Sequence, residues 1–319
     1  MLVLSIAVEG STPANSALTA VPTYNGIDFT LAIENVTGTS FGLRTLLYYM
    51  LEPDLPAAGS YVVSIAAGAA DNIVGGAVSV TGAGQQGPEV TGASDDSQTG
   101  ASVIQTTITT LSNGTWLFDC VGSGNAVSGF TPDAGQTGRW DQVAASSRGA
   151  GSTKEAATAG AVTLGWTAQS GSNRISHVVA AFAPTKIYDF DTGAGVDRFA
   201  YGTIIPNTPI PPAVNSIPST EFSGADYTAI AISDDARHTT GITPGGGSQD
   251  RAAVRFVFTL TEPASSINKL DVQWEGGAAV SSGGNDQLQL WIWNAVTSSY
   301  TLVAGTGLSP PPPDTVLFG

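Results

Sequence analysis

Nucleophilic catalysis needs a serine, threonine or cysteine beside a histidine base that an acid orients, and this chain of 319 residues offers two histidines and one cysteine for the purpose. His177 opens an apolar stretch, His177 to Ala183, that stops at Pro184. No nucleophile-elbow pattern surrounds it, so it reads as a structural histidine. His238 follows Ser233-Asp-Asp-Ala-Arg237 and reads as a solvated loop residue, and neither histidine has zinc-ligand spacing. Cys120 lies in Trp116-Leu-Phe-Asp-Cys-Val121, where a period of two puts Trp116, Phe118 and Cys120 on one face. That placement predicts a buried thiol rather than a nucleophile.

Hard oxygen donors are the next candidates. Asp189 and Asp191 share one face if Ile187 onward is a strand, Asp197 follows a glycine turn, and Asp234 and Asp235 could join them. Five carboxylates in a flexible arrangement suit calcium, the one cofactor the sequence suggests. An EF-hand loop is not present, because Ala194 stands where the turn glycine is needed and Ala200 where the bidentate glutamate is needed. Solvated turn aspartates are the competing reading. Among aromatics, Trp140 in Gly-Arg-Trp-Asp-Gln has polar neighbours, and Trp291 and Trp293 share one face of Leu288 to Trp293. Exposed, these three could stack on sugar rings; buried, they are sandwich core. Paired glycosidase carboxylates are not marked by any spacing. Asn35-Val-Thr37 and Asn113-Gly-Thr115 are glycosylation sequons.

The elements that must position these residues are short strands. Thirty-nine glycines, 18 prolines and only 12% charged residues describe strands joined by many turns. The expected fold is all-β, two tandem antiparallel β-sandwiches of jelly-roll type with negligible helix, over 1–184 and 185–319. Leu2 to Val8 reads as a core strand. Asn25-Gly26 marks a hairpin turn, and Leu43 to Leu51, apolar on both faces, reads as a doubly buried strand ending at Glu52-Pro53. Gly82 to Gly100 reads as a polar surface crossing, and Asn113-Gly114 as a second hairpin turn into the Trp116 strand. Ile204 to Pro218 is too proline-rich for a sheet centre, and Pro310 to Pro313 is a rigid spacer before Thr315-Val-Leu-Phe318.

With Leu47 to Ile65 and Leu111 to Asn125, the run GQTGRW … SSRGAGSTK … TLGWTAQSGSNRISHVVAAFAP, from Gly135 to Pro184, resembles a jelly-roll, concanavalin-like β-sandwich module of bacterial surface and secreted proteins and phage appendages. Its motifs are turn glycines, core tryptophans and a closing strand, so the resemblance implies a fold and no activity. It also implies a further strand ahead of Leu2, which this chain lacks. Ile187 to Gly202, Tyr227 to Arg237 and Leu270 to Gly276 more loosely resemble a β-sandwich domain appended to secreted prokaryotic proteins.

A net charge of −15 without a basic patch argues against nucleic acid and anionic membranes as partners, and no apolar run reaches the length of a membrane span. Only three lysines occur, Lys154, Lys186 and Lys269, on a surface built from Ser, Thr, Gly and Asp, as is common outside the cell. The expected function is structural and non-enzymatic: an extracellular, cell-surface or virion-surface subunit that polymerises with itself, with strand donation filling an open sheet edge. A glycan-binding adhesin or phage receptor-binding module is the alternative, with Trp140, Trp291 and Trp293 as its contacts.

Overall fold

A computed structural model describes residues 1–97, 100–172, 174–205, 211, 220–232, 238, 251–261, 270–276, 288–294, 296–305 and 315–318. The chain divides into two compact units, Met1–Lys186 and Ile187–Gly319. Among the described residues both consist mainly of antiparallel strands, so the all-β, sandwich-type expectation holds.

In chain order the first unit contains β1 (Leu2–Gly10), β2 (Thr23–Tyr24), β3 (Ile27–Asp28), β4 (Thr30–Thr37), β5 (Gly42–Met50), β6 (Val63–Ser64), β7 (Ala70–Ser79) and β8 (Val90–Asp96). It continues with β9 (Ala101–Thr110), β10 (Thr115–Ser123), β11 (Phe130–Pro132), β12 (Thr137–Ala144), β13 (Ser147–Ala156), β14 (Gly160–Ser172) and β15 (Ile175–Phe182). They form sheets of order β3-β2-β6, β4-β5-β1-β7, β12-β13-β10-β15-β8 and β11-β14-β9.

Alternation along β10 and β15 explains how these sheets stack. Phe118, Cys120, Val178, Ala180 and Phe182 point one way, onto Val3, Ala7, Leu47 and Val74 of the β1 sheet. Leu117, Val121, Ile175, Val179 and Ala181 point the other way, onto Ile104, Ile108, Leu164 and Trp166 of the β14 sheet. The outer face of the β1 sheet, with Leu4, Ile6, Val8, Leu46, Tyr48 and Met50, is covered in turn by Tyr24, Val63 and Ile65. The unit is therefore a stack in which two sheets are covered on both faces, and strands buried on both faces lose polar alternation. β5, Gly-Leu-Arg-Thr-Leu-Leu-Tyr-Tyr-Met, is one of them, as its composition predicts.

Three local expectations change. β1 lies between β5 and β7, so the positions on both sides of it are filled from within the unit and no vacant edge adjoins it. Gly82 to Gly100 is not simply a surface crossing, because it contains β8, the strand that pairs with β15 at the edge of the central sheet. Asn113-Gly114 joins β9 to β10, which belong to different sheets, so it makes an arch rather than a hairpin. Glu89 holds that arch, its Oε1 accepting from Leu111 N at 3.0 Å and from the Thr115 hydroxyl at 2.9 Å. Asn25-Gly26 does make the tight hairpin between β2 and β3, with φ of 53° and 78°, values that a two-residue turn of this hand requires.

The second unit contains β16 (Arg198–Ile205), β17 (Thr220–Glu221), α1 (Gly224–Ala229), β18 (Arg251–Phe258), β19 (Gln273–Gly276), β20 (Gln289–Asn294), β21 (Ser299–Gly305) and β22 (Thr315–Phe318). Its sheets run β17-β16-β18, β19-β22 and β20-β21. Among the described residues Phe190, Ala200, Phe222 and Tyr227 form a buried cluster, with Ile230, Phe256 and Phe258 packed on it. The short helix α1 fits the expectation of negligible helix. Ser223 caps it in a reciprocal box with Asp226, a Ser-x-x-Asp signal present in the sequence.

Candidate functional site

The residues best suited to acid–base chemistry meet inside the first unit. Asp119 on β10 and His177 on β15 are 58 positions apart and come together because the two strands pair, Asp119 opposite Val179. His177 Nε2 lies 3.1 Å from Asp119 Oδ2, and His177 Nδ1 lies 2.9 Å from the Thr106 hydroxyl of β9. The same carboxylate accepts from Trp166 Nε1 at 2.8 Å, from Gln136 Nε2 at 3.1 Å and from the backbone N–H of Ser152. A carboxylate oxygen can only accept, so His177 Nε2 donates to Asp119, and Nδ1 shares a hydrogen bond with the Thr106 hydroxyl.

The connectivity is acid, base, hydroxyl, but the accessibility is that of a core. His177 is 0% exposed, Asp119 2% and Thr106 3%. Gln136 completes the plug, its Oε1 accepting from Gly165 N at 2.7 Å and its Nε2 donating to the Ser152 hydroxyl at 2.8 Å. The arrangement satisfies every partner within the protein and stitches β9, β10, β13, β14 and β15 together. Hollows on the surface of this unit include one of about 540 Å³ beside the Lys154 to Thr163 connection from β13 to β14 and one of about 320 Å³ lined by Leu4, Val63, Ile65 and Ile73 to Ala77. Asp119, His177 and Thr106 line neither.

Other polar residues are also committed to packing. Glu9 accepts from Arg174 Nη2 at 2.9 Å, from Asn72 Nδ2 at 3.0 Å and from the Ser146 hydroxyl at 2.9 Å, a largely buried ion pair. Cys120 is fully buried, and burial pushes its thiol well above the ordinary range, which suits an inert core residue. Asn35 Nδ2, the atom a glycan would need, donates to Ser176 Oγ at 3.1 Å and Ser94 O at 3.3 Å. Asn113 is exposed, and its Oδ1 accepts from Ala159 N at 2.8 Å.

Trp140 is half-buried on β12 and lies over three glycines, Gly76 of β7 and Gly149 and Gly151 of β13. A Cβ on Gly76 or Gly151 would collide with the indole, and Trp140 Nε1 donates to the Ser5 hydroxyl at 2.7 Å. The polar neighbours that suggested an exposed ring in the sequence are turned away by alternation, while the ring itself fills a slot made by missing side chains. Trp291 and Trp293 are both half-buried on the β20-β21 ribbon. Trp291 Nε1 donates to Gln289 Oε1 at 3.2 Å, and Trp293 meets Tyr300 edge-on with ring centroids 5.0 Å apart.

Asp189, Asp191 and Asp197 do converge, but on a cation from the chain. Arg198 Nη1 lies 3.9 Å from Asp189 and 3.8 Å from Asp191, and Arg198 Nε lies 3.1 Å from Asp197. Arg198 Nη1 also donates to the Asp189 carbonyl at 2.7 Å. Asp191 sits in a turn closed by Gly193 N to Phe190 O and Asp189 just before it, and neither is on the strand expected for them. Asp234 and Asp235 lie outside the described residues. Among the described residues no group of three or more His, Cys, Asp or Glu side chains is placed to hold a metal ion. The missed signal was Arg198 itself, adjacent to Asp197 in sequence. His238, read as solvated, packs its ring on Phe222 at 3.9 Å between centroids and bonds Asp226 through Nδ1 at 2.8 Å.

The fold therefore defines an all-β protein of antiparallel sheets, and among the described residues Asp119, His177, Thr106 and Cys120 lie buried in the core of its first unit. A family model described as an uncharacterized protein's C-terminal domain matches residues 195–310, within the second unit. No curated protein and no solved structure matches the chain.

Proposed function

We propose that this chain is a non-enzymatic structural subunit, acting outside the cell or on a virion surface, that builds a filament or layer from copies of itself through β-sheet edges. The observation that carries the reading is β9. Its ten residues, Ala-Ser-Val-Ile-Gln-Thr-Thr-Ile-Thr-Thr, form an edge of the β11-β14-β9 sheet, bonded to β14 alone among the described strands. They include no charge and no proline, although proteins that stay monomeric blunt such edges with lysine, proline or bulges. Val103, Gln105, Thr107 and Thr109 are exposed along it. A second β9 laid antiparallel would satisfy the free backbone groups of both copies.

Two further observations support the reading. The Asp119–His177–Thr106 chain, which has the connectivity of a catalytic triad, is buried in the core and lines neither surface hollow. A surface poor in lysine and rich in serine, threonine and glycine accords with an extracellular setting, as does the resemblance of 1–184 to surface modules. Light scattering and negative-stain microscopy test the proposal on the wild type and on Val103→Lys/Thr109→Lys, whose side chains point to solvent. Filaments or large oligomers are expected from the wild type and smaller species from the variant. A wild-type protein that stays monomeric at high concentration, or a variant that assembles unchanged, overturns it.

A further inference from the structure

We infer that β22 is an exchangeable strand: Thr315–Phe318 of one copy pairs with Gln273–Gly276 of another, in the register seen within the single chain. The inference rests on the self-assembly reading and supplies it with a second contact. The seat is already defined, because Gln273 pairs with Phe318, Trp274 with Leu317, Glu275 with Val316 and Gly276 with Thr315. An acceptor edge, the length of its occupant and the direction of pairing are all on view in one molecule. Exchange between copies keeps the same ladder and changes only which chain supplies the strand.

Two features favour exchange at this pair. First, β19 and β22 form a two-stranded sheet four residues long, and such a ribbon gains little stability on its own. Second, nine residues separate Gly305 from Thr315 in the sequence, and four of them are the consecutive prolines Pro310 to Pro313. Proline fixes φ and favours an extended chain, so a reach of up to roughly 30 Å is open to a nine-residue segment of this composition.

Cysteines at a paired position read the exchange directly. Full-length Glu275→Cys and Val316→Cys chains, one carrying a mass tag, are mixed under assembling conditions and oxidised, and the products are weighed intact. A tagged–untagged disulfide dimer whose yield rises with concentration is expected. The double variant Glu275→Cys/Val316→Cys should close within one chain after dilution and then lose the exchange. A second pair, Gln273→Cys with Phe318→Cys, repeats the measurement should either substitution weaken the ladder. Closure within the double variant together with no mixed dimer from either pair overturns the inference. Repeating the mixture in the Val103→Lys/Thr109→Lys background separates the two ideas. A mixed dimer there shows exchange without β9 assembly, and wild-type filaments without a mixed dimer show β9 assembly without exchange.

Discussion

At the scale of single residues, the strongest constraint is the carboxylate of Asp119. It accepts from Ser152, Trp166, Gln136 and His177 inside a site closed to water. Asp119→Ala strands those donors, and loss of one partner from a buried network costs about 3 kcal/mol or more. Urea unfolding followed by tryptophan emission should show that loss in the first unit, with Trp166 reporting it. Asp226 makes a different prediction. Hydrogen bonds from Ser223, and then from His238, hold its carboxyl below the ordinary aspartate value. A depressed value means that its contribution is fully present above the unfolded-state pKa and fades as pH falls through the folded one. Melting of the second unit should therefore weaken in acid below about pH 4, and Asp226→Asn should flatten that part of the profile. Little of this was legible in the sequence. Asp119 and His177 lie too far apart for any local spacing to join them, whereas the Asp189 to Asp197 cluster was visible and only its partner, Arg198, was overlooked.

Elements were easier to read where one period dominates. β5 is apolar on both faces and sits in a sheet covered on both sides, and the Asn25-Gly26 turn has the positive φ values that residue pair tolerates. β8 was hidden because Val-Thr-Gly-Ala-Ser-Asp-Asp has the composition of a loop, and pairing with the fully buried β15 makes it a strand. The β9 to β10 arch was hidden for a related reason: Asn-Gly specifies a tight reversal but not whether the two strands stay in one sheet. The slot beneath Trp140 is a property of elements too, since it needs glycine on both β7 and β13. Gly76→Ala should push the indole outward and break its bond to Ser5, a small overpacking change of about 1–3 kcal/mol. A lowered urea midpoint with a red-shifted tryptophan emission would record it; an unchanged midpoint would mean that the ring is not held there.

For the whole molecule, composition was enough to specify an all-β chain, because abundant glycine, threonine and valine with little charge leave no material for amphipathic helices. The number of layers was not, since alternation shows that a strand has a buried face but not how many sheets compete to cover it. The edges carry the remaining consequence. β9 meeting its own copy antiparallel is a contact that relates the two chains by a two-fold axis, and a mutual exchange of β22 is another. A chain that joins its neighbours only through two-fold contacts has no head and no tail. Such a filament would present the same two surfaces at each end, grow at equal rates from both, and show no arrow when its subunits are averaged along its length.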